Sequence, residues 1–569
     1  MPKRLWIAGL SSLLGTGCSS GEALAPPLPS CTAANAAQVS LGAVARDTAL
    51  DLTQAAGCAL FPTNLSTTAA IRYLVVPQSA SATPNESQAY QLRGSPLLAA
   101  VAAAAFAVPA PATPAQQFDL SLRRAERELA ARVPAPARAP ARALLAPTPV
   151  DSGNVRTFKV CAVAVGCDAR KSNTLASVTA TALKVGQHIA IYVDNAAPQP
   201  GMSQSDLDNL RAIFDTSLYE LDTLAFGRES DIDNNGMVIV LMTGKVNALV
   251  SKDSCAKGLI AGYFFGADLI TTPPFATGNN GEIFYAMVPD PSATLSCAYS
   301  VLTVRQLVPQ TFVHEFQHMI SFNQHFLLRG ESSEDLWLNE GLSHYAEELG
   351  GRSFLPADSA TFCSYVFGDV FNAGQYFGAP QNYFLVDTAG IGGLAERGAY
   401  WLFVRYLVDR FSTDASTAAA NVVTRSLEQT ARIGADNVSA ATATPFDTLL
   451  KQWAFANYVS DLPGFAVPPK LRYTKWQFRT AFPVLNARCS NRIPAAFPLD
   501  TAAHAYPASS ISASGVLRAG SAGYYIAQQA PGEPEFILQV NGFDRLVFAP
   551  YSTLLGASVV PRLNVIRLQ

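Results

Sequence analysis

The stretch that most constrains this chain runs from Thr311 to Ile320 and contains the pentapeptide HEFQH. Residues four apart lie on one face of an α-helix, so His314 and His318 can reach the same metal ion. Two imidazole nitrogens at this spacing suit Zn²⁺, which takes nitrogen ligands in tetrahedral geometry. Glu315 can then deprotonate a water held at the metal without being a ligand itself. The motif therefore predicts a metal-binding helix.

The alternative is that two surface histidines fall four residues apart by chance. Histidine is rare in this chain, with 6 in 569 residues, and the flanking Val313, Phe316, Met319 and Ile320 are apolar. These flanks indicate a helix that is buried on most sides, and a buried imidazole without a partner is costly. The sequence therefore favours the metal site.

A catalytic zinc usually has three protein ligands and one open position. The segment WLNEGLSHYAEEL follows a polar stretch and carries apolar residues at helical spacing. It offers Glu340, which directly follows Trp337-Leu338-Asn339 near the start of the predicted helix. Taken one at a time, its glutamates would be read as ordinary solvated helix residues, and Glu340 stands out by its place relative to His318.

These segments together resemble a known protease family. HExxH followed by W-L-N-E-G is the gluzincin pattern, which is shared with thermolysin-like enzymes. With the upstream SDIDNNGMVIVLMTGKVN, the segments HEFQHMISFNQH and WLNEGLSHYAEEL resemble the hyicolysin family of secreted bacterial neutral metalloproteases, over roughly residues 155–465. The resemblance implies a zinc endopeptidase in which His314, His318 and Glu340 are ligands and Glu315 is the base.

The chain departs from the pattern at one position. Many gluzincins carry an acidic residue four positions after the glutamate ligand, where it orients a histidine ligand, and this chain has His344 there. Glu347 is the alternative for that role. An oxyanion also needs a second electrophile, for which the candidates by residue type are His344, Tyr345, Tyr383 and Tyr400.

The segment from Glu282 to Val288 is predicted to be a strand. It comes shortly before the metal-binding helix, where gluzincins place the sheet edge that pairs with the substrate backbone. Addition of an extended peptide to a free sheet edge is a common mode of peptide recognition.

A possible calcium loop precedes another predicted strand. Asp231, Asp233, Asn235 and Gly236 match the first half of an EF-hand loop, but the glutamate expected at position 12 is missing. The sequence therefore favours an Asx-rich turn that enters a buried strand, and leaves Ca²⁺ unsupported.

The N-terminus has the pattern of an export signal. Lys3 and Arg4 precede a short apolar core, and small residues precede Cys18. The stretch from Leu14 to Cys18 resembles a bacterial lipobox, although its leucine stands four residues before the cysteine. We expect either a lipid on Cys18, which would tether the protein to the cell envelope, or ordinary cleavage and release.

Cysteine usage agrees with export. An even number of cysteines remains after Cys18, and dispersed cysteines in an exported chain indicate disulfides. Pairing neighbours in sequence predicts Cys31–Cys58, Cys161–Cys167, Cys255–Cys297 and Cys363–Cys489.

Composition is that of a globular protein, with 49% hydrophobic residues and a net charge of −3. Nothing basic indicates a nucleic-acid partner. The predicted fold class is a multidomain α+β protein with a gluzincin-type catalytic domain between β-rich domains. The predicted segments are a signal peptide (1–18), a small β-rich domain (19–106), an Ala/Pro/Arg-rich linker with a helical middle (107–150), the catalytic domain (151–465) and a C-terminal β-sandwich-like domain (466–569).

The sequence thus predicts an exported zinc endopeptidase that acts on protein or peptide substrates. The alternative is a surface-anchored binding protein that keeps the protease fold without turnover. A binding protein has no need of Glu315, so its presence favours the enzyme.

Overall fold

The computed structural model describes residues 30–42, 46–94, 113–133, 150–388, 393–545 and 550–569. The predicted signal peptide and Cys18 lie outside the described residues, as do both ends of the predicted linker.

The strands fall into three sheets. They are β1 (Ala37–Gln38), β2 (Asp47–Asp51), β3 (Cys58–Phe61), β4 (Ile71–Ser79), β5 (Ser87–Gly94), β6 (Val155–Cys161), β7 (Leu175–Val185), β8 (Ile189–Asp194), β9 (Val238–Met242), β10 (Gly262–Phe264), β11 (Ile283–Ala286), β12 (His504–Pro507), β13 (Ser512–Arg518), β14 (Tyr525–Gln529), β15 (Phe536–Arg545), β16 (Pro550–Thr553) and β17 (Pro561–Arg567).

The α-helices lie mostly in the middle of the chain. They are α1 (Pro114–Arg132), α2 (Gln204–Ile213), α3 (Tyr219–Phe226), α4 (Gly244–Ala248), α5 (Val301–Ser321), α6 (Leu336–Arg352), α7 (Ser359–Gly378), α8 (Leu394–Phe411), α9 (Thr417–Glu428), α10 (Gly434–Thr442), α11 (Phe446–Val459), α12 (Phe478–Arg488) and α13 (Leu499–Ala502).

One mixed sheet, in the order β10-β11-β9-β8-β7-β6, supports α5, the helix that carries HEFQH. Its central strand β9 has the sequence VIVLM and is buried along its whole length, as expected for a strand covered on both faces. Phe312 of α5 packs edge-on against Phe284 of β11, with ring centroids 5.0 Å apart. This contact fixes α5 against the sheet.

The position of the sheet edge differs from the sequence prediction. Strand β11, within the segment predicted as the edge, pairs with β10 on one side and β9 on the other. The edge next to α5 is the short antiparallel strand β10, whose last residue Phe264 donates its backbone N–H to Glu315. The apolar sequence of β11 indicates a buried strand. It gives no sign that β10 pairs with the side of β11 that was predicted to be free.

Helices α5 and α6 meet in antiparallel fashion beneath the sheet's edge, and α8 packs on α6. Ser300 caps α5, because its Oγ accepts the backbone N–H of Thr303 at 3.1 Å. Gly341 allows α6 to approach α8 closely, since a Cβ at this position would lie 2.8 Å from the Tyr400 carbonyl oxygen. A larger residue after Glu340 would push α6 away from α8.

The two terminal β segments, predicted as separate domains, share both remaining sheets. One has the order β1-β3-β15-β5-β13, with β16 on β15, and the other has the order β12-β14-β4-β17-β2. Strand β4 is antiparallel to both β14 and β17, and β15 lies between β3 and β5. Apolar side chains of both segments, such as Tyr73, Leu92, Leu538 and Val565, fill one core. The strands of the N-terminal and C-terminal segments therefore bury their apolar side chains against each other.

The predicted C-terminal β domain also begins with helices. Helix α12 packs on α7, where Phe377 contacts Phe478 and Phe482 at ring-centroid distances of 5.2 and 6.2 Å. The Cys363–Cys489 disulfide links the same two elements. The aromatic rings of α12 are thus buried against a helix of the catalytic region.

The described cysteines form the four predicted pairs, Cys31–Cys58, Cys161–Cys167, Cys255–Cys297 and Cys363–Cys489. Among the described residues, none of the helices is both long enough and apolar enough to cross a bilayer.

Candidate metal centre

Helices α5 and α6 bring His314, His318 and Glu340 together in the interior. The Nε2 atom of His318 lies 3.3 Å from Oε1 of Glu340, and Nε2 of His314 lies 3.7 Å from Oε2. One ligand atom from each of the three residues lies within 4.8 Å of the other two. Two imidazoles and one carboxylate form a donor set that suits Zn²⁺.

The far side of each imidazole ring is held by a neighbour on α6. Nδ1 of His314 lies 2.8 Å from Oε1 of Glu347, and Nδ1 of His318 lies 3.0 Å from Oδ1 of Asn339. Such contacts fix the tautomer and turn each Nε2 toward Glu340. Oε1 of Glu340 is buried and makes no hydrogen bond within the described part of the chain. The oriented imidazoles and the unsatisfied carboxylate oxygen therefore both fit a bound zinc ion.

Burial and nearby charges keep His318 and Glu340 in the protonation states that a metal needs. Burial and the nearby Arg123 lower the pKa of His318 to about 3, so its imidazole is neutral. Burial alone would raise the pKa of Glu340, but the charge of Arg397 outweighs it and holds that pKa well below its usual range. Nη1 of Arg397 donates to Oε2 of Glu340 at 2.8 Å.

Glu315 is buried beside this cluster. Its Oε2 accepts the backbone N–H of Phe264 at 3.0 Å. Burial raises the pKa of Glu315 to about 7, although the charges of His314 and Arg123 oppose the shift. A carboxylate with a pKa near neutrality is well matched to accept and return a proton at physiological pH.

Glu347 contacts both His314 and His344, the residue at which the chain departs from the gluzincin pattern. Besides His314, Glu347 contacts Gln310, whose Nε2 donates to Oε2 at 2.6 Å. His344 Nδ1 lies 3.0 Å from Glu347 and 2.9 Å from Asp369. Burial opposes a charge on His344, but Asp369 and Glu347 outweigh it and raise its pKa to about 10. The structure thus places Glu347 against a histidine of the cluster and a cationic His344 beside it.

Among the described residues, no hydrogen bond joins the three candidate tyrosines to His314, His318 or Glu340. Tyr345 lies under the guanidinium of Arg405, with 5.0 Å from its ring centroid to Cζ. The hydroxyl of Tyr400 donates to Asp387 at 2.6 Å. No hydrogen bond within the described ranges joins Tyr383 to the His/Glu cluster. Residue type alone suggested these tyrosines, and their role stays a prediction.

Sequence reasoning missed several charged neighbours of the cluster. Arg397 comes from α8, and Asp119 and Arg123 come from α1, the helix inside the predicted linker. Arg123 Nη2 lies 3.8 Å from Oε2 of Glu315. The helical periodicity of residues 119–132 predicted α1 itself, but nothing local indicates where a helix docks.

Comparison with known proteins gives one relevant finding. No protein-family model matches the chain. Over 142 residues, which are 25% of this chain, it is 29% identical to the neutral metalloprotease ShpI of Staphylococcus hyicus. The chain spans about 30% of the length of that relative. This distant similarity over a quarter of the chain supports a metalloprotease.

Proposed function

We propose that this chain is an exported zinc-dependent endopeptidase. The observation that carries the proposal is the convergence of His314, His318 and Glu340, with the buried carboxylate of Glu315 beside them. The distant similarity to a neutral metalloprotease supports the same chemistry.

In this proposal, His314, His318 and Glu340 hold the zinc ion. Zinc supplies Lewis acidity when bound, which polarises a peptide carbonyl and makes water a stronger acid. Glu347 and Asn339 keep the two imidazole rings in place.

Proton transfer is assigned to Glu315. Its carboxylate accepts a proton from the attacking water and delivers it to the leaving amine, as a group with a pKa near 7 can do in both directions. The imidazolium of His344 is our candidate for stabilising negative charge on the carbonyl oxygen. The sheet edge at β10 is our candidate for pairing with the substrate backbone.

Metal analysis of the purified protein, combined with chelator-sensitive cleavage of casein, tests the proposal. We expect one zinc per chain, and His314→Ala and Glu340→Ala should each lose it together with the activity. His504→Ala, which alters an exposed histidine outside the cluster, serves as the matched control. Stoichiometric zinc in either cluster variant would refute the ligand assignment.

We also propose export, which four disulfides support, with a lipid on Cys18. Cys18→Ser should then move the protein from the membrane fraction to the soluble fraction. A mature N-terminus that carries no diacylglycerol in mass spectrometry would contradict the lipid anchor and leave the peptidase proposal intact.

A further inference from the structure

A second group of carboxylates lies where the central strands of the sheet begin. Asp231 and Asp233 belong to the loop that enters β9, and Glu282 immediately precedes β11. One oxygen from each of the three residues lies within 4.8 Å of the others.

Glu282 carries the argument, because it is 1% exposed and only one of its oxygens is satisfied. Oε1 accepts the backbone N–H groups of Asp231 and Ile232 at 2.7 and 2.9 Å. Oε2 makes no hydrogen bond within the described part of the chain, and the same holds for Oδ1 of Asp233. Buried oxygens without a donor carry a large desolvation cost, and a bound cation would remove it.

The geometry also supplies the residue that the sequence lacked. The loop matches the first half of an EF-hand, and Oδ1 of Asp231 accepts the N–H of Gly236 at 3.0 Å. The glutamate expected at position 12 is absent from the loop, but Glu282 brings a carboxylate beside Asp231 and Asp233. A glutamate from another strand thus completes the acidic set.

Two cations face this group, and neither takes up the free oxygens. The guanidinium of Arg156 donates to the Asn279 carbonyl and lies over the ring of Phe158, 4.9 Å from its centroid. Arg228 donates to the hydroxyl of Tyr219 at 2.9 Å. Oε2 of Glu282 and Oδ1 of Asp233 thus stay without a hydrogen bond among the described residues.

We propose that Asp231, Asp233 and Glu282 form a calcium site that fastens the loop before β9 to the start of β11. An all-oxygen donor set suits a hard cation, and ligand oxygens at these separations fit Ca²⁺, which binds oxygens at about 2.3–2.6 Å. The absence of nitrogen and sulfur donors disfavours zinc here.

The test uses the full chain, stripped of calcium and reloaded with zinc, and titrates calcium while following heat of binding and Tm. We expect binding at one site and a rise in Tm, with a smaller effect of magnesium. Glu282→Gln and Asp233→Asn should each lose the calcium-dependent rise, whereas the exposed control Asp253→Asn should keep it. Asp233→Asn leaves Glu282 and its backbone contacts in place. This variant therefore still tests the calcium site if Glu282→Gln does not fold. The calcium site would be refuted if calcium did not raise the Tm of the parent chain. It would also be refuted if both variants kept the calcium-dependent rise in Tm.

A separate observation concerns helix α1, which lies against the candidate metal centre. Arg123 is buried, and its Nη1 lies 2.9 Å from Glu126 while its Nη2 lies 3.8 Å from Glu315. The same Nη2 donates to the backbone carbonyl of Phe264 at 3.2 Å. Arg123 therefore joins the proposed base to the edge strand β10 of the sheet.

Two further contacts fix α1 in this place. Asp119 accepts from Arg397, whose other nitrogen donates to Glu340. Phe118 packs edge-on against Tyr263 of β10, with ring centroids 5.0 Å apart. The helix thus covers β10, and a peptide cannot pair with this edge or reach Glu315 while α1 is there.

We infer that α1 is an autoinhibitory segment that occupies the substrate cleft, an inference that rests on the proposed function. The helix places the Arg123 guanidinium 3.8 Å from the Glu315 carboxylate, in the space that a substrate would need. Displacing the helix breaks the Arg123 and Asp119 ion pairs and uncovers both the base and the sheet edge.

The test compares the full chain with Arg123→Ala, Asp119→Ala and the control Arg132→Ala, whose side chain is exposed at the end of the same helix. Peptide cleavage and binding of a peptide hydroxamate, a zinc-directed substrate analogue, are measured side by side. We expect at least about tenfold tighter hydroxamate binding and faster cleavage in the first two variants, because breaking a buried ion pair is strongly destabilising. The control should behave like the parent chain.

The two readouts separate the inference from the function on which it rests. Tighter hydroxamate binding without cleavage in any protein would refute the peptidase and support the occlusion. Equal binding and equal cleavage in the parent chain and both variants would overturn the occlusion and leave the peptidase standing.

Discussion

Replacing Glu347 by glutamine tests how the metal centre is held. Glu347 contacts His314 at 2.8 Å, Gln310 at 2.6 Å and His344 at 3.0 Å. Glutamine has the same shape and keeps an acceptor oxygen, so α6 should stay in place. The variant removes the negative charge between the two imidazoles, and with it the fixed orientation of His314.

We expect zinc affinity to fall 10–100-fold, which is about 1.4–2.7 kcal/mol, the range typical for partners of metal-bound histidines. His344 keeps its contact with Asp369 at 2.9 Å, so its charge should survive. Competition between the full chain and a chromophoric zinc chelator measures the affinity directly, with the exposed Glu331→Gln as control. Zinc affinity in Glu347→Gln equal to that of the control would refute the reasoning, provided that near-ultraviolet circular dichroism shows an unchanged fold.

Three other outcomes follow from the same geometry. Glu315→Gln should keep the zinc and the fold but lose nearly all cleavage, and a near-normal rate would mean that another residue accepts the proton. Burial raises the pKa of Asp222 well above its usual value, so the folded chain holds its proton more tightly than the unfolded chain, and stability falls as pH rises above about 4. Asp222→Asn should therefore raise Tm by an amount that grows from pH 4 to pH 7, and an equal gain at both pH values would contradict this. Replacing Cys363 and Cys489 by serine opens a loop of 126 residues and should cost up to about 5 kcal/mol of unfolding free energy, seen as a lower midpoint in a urea titration.

The parts of the site that could be predicted from sequence depend on local geometry. The spacing of His314 and His318 places both on one helix face, and the resemblance to gluzincins indicated Glu340. Arg397 and Glu282 could not be predicted in their places, because their neighbours come from segments far away in the chain. The pairing of the terminal strands was missed for the same reason, since alternation of apolar residues predicts a strand but not its partner.

The shared terminal sheets have a consequence for the order in which this protein folds. Strand β4, near the N-terminus, pairs with β17, which ends at Arg567 of 569 residues. Loop closure over almost the whole chain precedes this pairing, and such long-range contacts form slowly. Strand β4 must therefore wait until β17 has been synthesised before this sheet can form. Removal of either terminal segment would take strands out of both sheets and leave exposed edges that favour aggregation.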